Sequence, residues 1–282
     1  MAEDNKAKFF IQFGGQSGSY INELREIFEK YPLVRGLIEN AAQELSAQLN
    51  SSLAQKSGFY TYGFDILNWL QTPESTPPQT YLSSSPISQP LIFLTQMAEY
   101  FVMTKYGISS DDFLKHSSGA TGHSQGIMAA VLVAMDLNGK ELKTTFQKFI
   151  QFMFWQGYRM QEVYPQTDLP KSMLLECEKN EWGMPKPMAA ISGMASEEIE
   201  AYLEQLNATL PVSEHISLSL VNGWKRAIIS GAPRALVILR RLLAQMEKKH
   251  EKVLVKTFQG GWEFLNGSDP IHCTARPQAL DL

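Results

Sequence analysis

Two rhythms of apolar and polar positions run along this chain. Lys8 to Phe13, Lys-Phe-Phe-Ile-Gln-Phe, is a short apolar run that predicts a buried strand, and it stops at Gly14-Gly15-Gln16-Ser17-Gly18, a run that favours a tight turn. From Tyr20 to Leu49 the rhythm becomes helical, with Ile21, Leu24, Ile27 and Phe28, then Val34, Leu37, Ile38, Ala41 and Leu45 on one face. Pro32 punctuates this stretch, so the spacing predicts two helices. Phe64 to Leu70 reads as a further helical piece. Thr72 to Pro90, with Pro73, Pro77, Pro78, Pro86 and Pro90 among Ser and Thr, predicts a loop, and Leu91 to Tyr106 a core helix.

The strongest pattern lies between Lys115 and Met135. A strand-like Ser118 to Thr121 meets Gly122-His123-Ser124-Gln125-Gly126, and the almost wholly apolar Ile127 to Met135 follows. A helix with no polar face is buried, so this turn is expected at the top of a core element. Phe146, Phe149, Phe152, Met153, Phe154 and Trp155 resemble a cofactor box, but at helical spacing they read as core.

Gly193 marks a change of texture. Strands are predicted at Met188–Ser192, Ile216–Val221, Arg226–Ser230 and Val253–Lys256, with helices at Ser196–Leu206, capped by Ser, and Pro233–Lys248. The order β-α-β-β-α-β is that of a small ferredoxin-like unit. The expected organisation is therefore an α/β core made of 1–187 and 257–282, with an inserted ferredoxin-like subdomain at 188–256.

Composition narrows the classes. The chain has 282 residues, 44% hydrophobic and 19% charged, enough for one large or two modest domains with a real core. A formal net charge of −4 argues against general nucleic-acid or anionic-membrane binding. Two cysteines, Cys177 and Cys273, make neither a disulfide framework nor a cysteine-built metal site, and they suit a reducing compartment. The longest apolar run, Ile127 to Met135, falls well short of the roughly 20 residues that span a bilayer. The charged start, Met1-Ala2-Glu3-Asp4-Asn5-Lys6, is no secretory signal. The expectation is a soluble cytoplasmic enzyme, or part of one, with no bound metal.

Gly122-His123-Ser124-Gln125-Gly126 matches Gly-x-Ser-x-Gly, the nucleophile elbow. A strand that turns sharply into a helix needs glycines beside a nucleophile held in a strained conformation, and the helix start offers free N–H groups to a developing oxyanion. The plainer alternative is a Gly-Ser turn that only packs. A serine also needs a general base. His116, His215 and His250 sit in polar or charged surroundings, and His123 adjoins the serine but points away from it in such a turn. His272 lies in Asn266-Gly267-Ser268-Asp269-Pro270-Ile271-His272-Cys273, a loop after an expected strand. Gln16 is either an ordinary turn residue or part of a loop that closes over the elbow.

With these residues in place, the sequence resembles the acyltransferase domains of fatty acid and polyketide synthases, and most of all the acetyltransferase domain of the fungal-type fatty acid synthase β chain and its bacterial type I relatives. The likeness runs from about Phe9 to the C-terminus. It rests on Phe13-Gly14-Gly15-Gln16, Pro86-Ile87-Ser88-Gln89-Pro90-Leu91, Gly119-Ala120-Thr121-Gly122-His123-Ser124-Gln125-Gly126, Gly157-Tyr158-Arg159 with Tyr164-Pro165, Ser219-Leu220-Val221-Asn222-Gly223, and Phe264 to His272. The resemblance implies a hydrolase-like core with a short parallel sheet and a Ser124–His272 dyad. It implies oxyanion-hole positions at Gln16 and Gln125, and substrate-binding positions at Gln156, His123 and Asn222. It further implies acyl-CoA as substrate, the phosphopantetheine of an acyl carrier protein as acceptor, other synthase domains in a larger polypeptide, and no permanently bound cofactor.

One departure carries information about substrate. Malonyl-selective members of the family place an arginine where this chain has Gln156, and its fork pairs the malonyl carboxylate. Without that cation a buried carboxylate is poorly compensated, so an uncharged acyl group, acetyl first, is expected. Ile127-Met128 after the elbow, in place of a Glu, points the same way. Arg240, Arg241, Lys248, Lys249 and Lys252 form a candidate basic face for the acidic carrier, or simply a solvated helix face. Two other functions remain open at this point: an esterase or thioesterase of the α/β-hydrolase type, and a non-catalytic carrier-docking module.

Overall fold

The first apolar run forms β1 (Phe9–Phe13), with Ile11 and Phe13 buried and Gln12 turned outward, the period of two expected of a strand with one face on a core. The computed structural model describes residues 9–15, 20–163, 169–183, 185–250 and 262–264. α1 (Tyr20–Lys30) and α2 (Pro32–Leu49) follow, and Pro32 opens the second helix, where a missing N–H costs nothing. Short helices α3 (Ser52–Lys56), α4 (Ile66–Gln71) and α5 (Gln79–Leu82) lead to α6 (Ser85–Tyr106).

α6 corrects the expected loop at Thr72 to Pro90. Pro86 lies in its first turn, where no helical donor is lost, and Pro90 is accommodated inside the helix. The physical reason is burial: every residue from Pro86 to Ala98 is buried, so tertiary packing outweighs the one hydrogen bond that Pro90 forfeits. α6 is the axis of this part of the molecule. α1, α2, α8 (Gly126–Ala134) and α9 (Gly139–Val163) all pack against it. α7 (Ser110–His116) leads into β2 (Ser117–Gly122), which pairs in parallel with β1 so that Phe13 lies opposite Gly122.

α8 is less enclosed than its composition suggests. Ala129, Ala130, Leu132 and Val133 are buried, but Ile127, Val131 and Met135 form an exposed stripe one helical turn apart. Among the described residues, neighbours cover only one side of it: β1, β2, α6 and α9. Of the aromatic-rich stretch on α9, Phe146, Met153 and Phe154 are core as expected, while Phe152 is exposed.

The chain divides between Val163 and Tyr164 into two compact units. The second contains α10 (Lys171–Lys179), β3 (Met188–Ser192), α11 (Ser196–Asn207), β4 (Ile216–Gly223), β5 (Arg226–Gly231), α12 (Pro233–His250) and β6 (Trp262–Phe264). Its strands are antiparallel in the order β4-β5-β3-β6, the arrangement of a ferredoxin-like βαββαβ unit. α10 joins this unit, ahead of the expected boundary at 188, because Met173 and Cys177 sit in its apolar core. The expected strand at Val253–Lys256 lies outside the described residues, and the edge strand seen beside β3 is β6. The cap of α11 is Ala195 rather than Ser196; Glu198 Oε2 accepts the Ala195 N–H at 3.0 Å.

Candidate active site

The turn between β2 and α8 holds Ser124 at φ 54°, in the left-handed region. For a residue with a side chain this conformation costs about 1–2 kcal/mol, so the neighbouring contacts have to hold it. His123 N–H donates to the Phe13 carbonyl at 2.9 Å, Gly126 N–H to the His123 carbonyl at 2.9 Å, and Ile127 N–H to the Ser124 carbonyl at 3.2 Å. The two flanking glycines are required by space. A Cβ on Gly122 would land on the backbone of Gly126 and Ile127, and one on Gly126 would lie 2.5 Å from the Phe13 carbonyl oxygen, with the Gly14 oxygen closer still. Ser124 itself is exposed, at the head of an apolar helix.

The backbone after β1 walls this turn. A Cβ built on Gly15 would come 2.9 Å from His123 Nδ1 and 3.4 Å from Ser124 Cβ. The half-buried His123 therefore faces the Gly14-Gly15 segment. Gln96 on α6 donates its Nε2 to the Gly14 carbonyl at 2.5 Å. Gln96 was not singled out in the sequence, and Gln89, seven positions earlier on α6, appeared there only within a motif of the resemblance. The available signal was two carboxamides within the largely apolar run Pro86 to Ala98, which stand out because buried polar groups demand partners.

Buried amide groups recur in the larger unit. Gln125 is buried at the head of α8, and neither of its side-chain polar atoms finds a hydrogen-bond partner among the described residues. The same holds for the Oε1 atoms of Gln89, Gln96 and Gln156. Gln156 stands on α9 next to Gly157, whose bare Cα packs against the Ser85 carbonyl and Pro86 at the start of α6. An uncompensated buried amide costs roughly 1–3 kcal/mol.

Of the remaining sequence-predicted positions, Gln16 and His272 lie outside the described residues. Asn222 is exposed near the end of β4 in the second unit. Two members of the candidate basic face have partners within the second unit, and Lys252 lies outside the described residues. Arg241 forks onto Glu176, with Nε to Oε1 at 2.7 Å, and the Arg240 guanidinium lies 5.1 Å from the Trp182 ring centre. That fork holds the Glu176 carboxyl below its ordinary range. Among the described residues, no cluster of three or more His, Cys, Asp or Glu side chains could hold a metal ion, and no helix is long and apolar enough to cross a membrane.

A strained serine between two obligatory glycines, at the N-terminal end of an apolar helix, can present a nucleophile beside helix N–H donors. Comparison with known proteins places the chain in a transacylase family. The family model for the starter unit:ACP transacylase in aflatoxin biosynthesis matches residues 11–257. The chain belongs to that family. This acyltransferase domain is 37% identical over 237 residues to the fatty acid synthase subunit beta of Saccharomyces cerevisiae, covering 83% of this chain. It is 32% identical over 249 residues, 87% of the chain, to the fatty acid synthase beta subunit TOXC of Cochliobolus carbonum. It spans 12% of the length of each of these two proteins. The fold of the acyltransferase matches the malonyl CoA-acyl carrier protein transacylase from Clostridium perfringens, with a TM-score of 0.55 at 19% identity over 95% of this chain and 63% of that one.

Proposed function

We propose that this domain transfers an uncharged acyl starter group, acetyl first, from acyl-CoA to the phosphopantetheine thiol of an acyl carrier protein, through an acyl-serine on Ser124. The observation that carries this reading is Ser124 held at φ 54° and exposed at the head of α8. In the proposed reaction, Ser124 Oγ attacks the thioester carbonyl while its proton passes to His272. The N–H groups of Gln125 and Gln16 receive the oxyanion. The carbon–sulfur bond breaks, and CoA leaves as the thiol with the proton from His272. The carrier's thiol then attacks the acyl-serine by the same steps in reverse, which returns the proton to Ser124 and frees the enzyme. His123 and Asn222 bind substrate. The carrier protein and further synthase domains of a longer polypeptide are the expected partners, in the cytoplasm.

Selectivity in this reading rests on Gln156. Its carboxamide offers no positive charge to a malonyl carboxylate, and an unpaired buried charge is heavily penalised. The test is intact-protein mass spectrometry after brief exposure to acetyl-CoA, malonyl-CoA or hexanoyl-CoA. The expected result is an acetyl adduct that vanishes in Ser124→Ala, little malonyl adduct, and a roughly tenfold or greater rise in malonyl relative to acetyl labelling in Gln156→Arg. A dominant malonyl adduct on the unaltered protein overturns the selectivity. An adduct that survives Ser124→Ala, or net hydrolysis exceeding transfer to the carrier, overturns the mechanism.

A further inference from the structure

Gln96 makes one well-formed hydrogen bond, and its acceptor belongs to the backbone that walls the nucleophile. The Gly14 carbonyl that takes Gln96 Nε2 at 2.5 Å also lies against the Cα of Gly126. The preceding carbonyl, of Phe13, accepts the His123 N–H, and the following residue, Gly15, packs against the His123 ring and Ser124 Cβ. Gly14 and Gly15 have no side chains with which to anchor themselves, and glycine is the residue with the most backbone freedom. The anchor comes instead from α6, which together with α5 also secures the start of α1: Tyr20 Oη donates to the carbonyl of Leu82, the last residue of α5, at 2.6 Å, and Thr95 Oγ1 of α6 reaches the Tyr20 carbonyl at 3.4 Å. Gln96 lies on the stretch of α6 where every residue from Pro86 to Ala98 is buried, and its acceptor is 82 positions away in sequence.

We propose that Gln96 is a positioning residue for acyl transfer: by holding the Gly14 carbonyl it fixes the Gly14-Gly15 backbone against Ser124 Cβ, and so holds the serine hydroxyl ready to react. The proposal rests on the acyl-serine reading of Ser124. Without the carboxamide, the Gly14 peptide is free to rotate away from the elbow and the wall beside Ser124 is lost. The rate of acylation then falls while acyl-CoA binding is unchanged, because a misplaced reacting group costs rate rather than ground-state affinity.

The test uses Gln96→Met, which keeps the volume and removes the donor, and Gln96→Glu, whose acid form donates and whose carboxylate repels the Gly14 carbonyl. In single-turnover acylation with acetyl-CoA, Gln96→Met is expected to lower the maximal rate at least tenfold, with half-saturation within twofold of the unaltered protein and an unchanged melting temperature. Gln96→Glu is expected to lose its rate as pH rises, through a titration that the unaltered protein lacks. A rate for Gln96→Met within twofold of the unaltered protein, or a loss that tracks the unfolded fraction, overturns the proposal; so does a Gln96→Glu profile that matches the unaltered protein.

Hydrogen exchange of the 13–15 amides is measured in parallel, since it does not depend on activity. Faster exchange in Gln96→Met supports the anchor, and unchanged exchange overturns it. Failure of the unaltered protein to form any Ser124 adduct overturns the acyl-serine reading and, with it, the catalytic part of this role, while the exchange data still decide the anchor.

Discussion

Gly126 presses its bare Cα against the carbonyl oxygen of Gly14, so the helix that begins at the elbow is seated directly on the end of β1. A methyl group there would meet two carbonyl oxygens, those of Phe13 and Gly14, and neither can yield without disturbing the parallel β1–β2 pairing. Gly126→Ala is therefore expected to destabilise the larger unit by about 2 kcal/mol through overpacking. Gly36, in α2 with nothing within 4 Å of an added Cβ, is the control. There the same change is expected to stabilise by up to about 1 kcal/mol through helix propensity. Thermal or denaturant unfolding of the two variants checks the difference in sign.

Ser124 pays a conformational penalty that glycine does not. Ser124→Gly is expected to unfold with about 0.5–1 kcal/mol more stability than Ser124→Ala, because only the alanine keeps a Cβ in the left-handed region. Both variants are expected to lose the acyl adduct completely. Equal stability of the two would show that the turn relaxes in the absence of the hydroxyl.

Glu99 supplies a pH dependence remote from the elbow. Its side chain reaches solvent, yet desolvation by the surrounding protein, with the like charge of Glu23 adding to it, pushes the carboxyl up to about 7. The folded state therefore holds this proton more tightly than the unfolded chain does. Its contribution to stability is complete below the ordinary carboxylate range and is lost as pH rises through about 7. Glu99→Gln is expected to match the unaltered protein near pH 4 and to melt at a higher temperature than it at pH 8. Melting curves that differ by the same amount at both pH values would refute this.

Local patterns carried the reading of the sequence a long way. The two helices split at Pro32, the strand before the elbow and the βαββαβ order of the smaller unit all rest on periodicity and on turn residues, which act over a few positions. The Gly-x-Ser-x-Gly turn was legible for the same reason, since its steric demand falls on residues two apart. Reading by local rule failed at α6. Five prolines and many hydroxyls suggested a loop from Thr72 to Pro90, but burial of Pro86 to Ala98 kept Pro90 within the helix. The same limit set the boundary of the smaller unit too late, because only packing shows that Met173 and Cys177 belong to its core.

By itself, then, the sequence determined the order of elements, the place of the elbow and the identity of the serine within it, since each depends on chain-local geometry and residue type. Only the tertiary structure decided how the turn is held. Gly14 meets Gly126, Gln96 reaches the Gly14 carbonyl, and Gly157 packs on Ser85 because separate elements come together around α6. Such contacts depend on how elements pack rather than on any local pattern, so no periodicity announces them. Satisfying a buried polar group is a property of the whole fold.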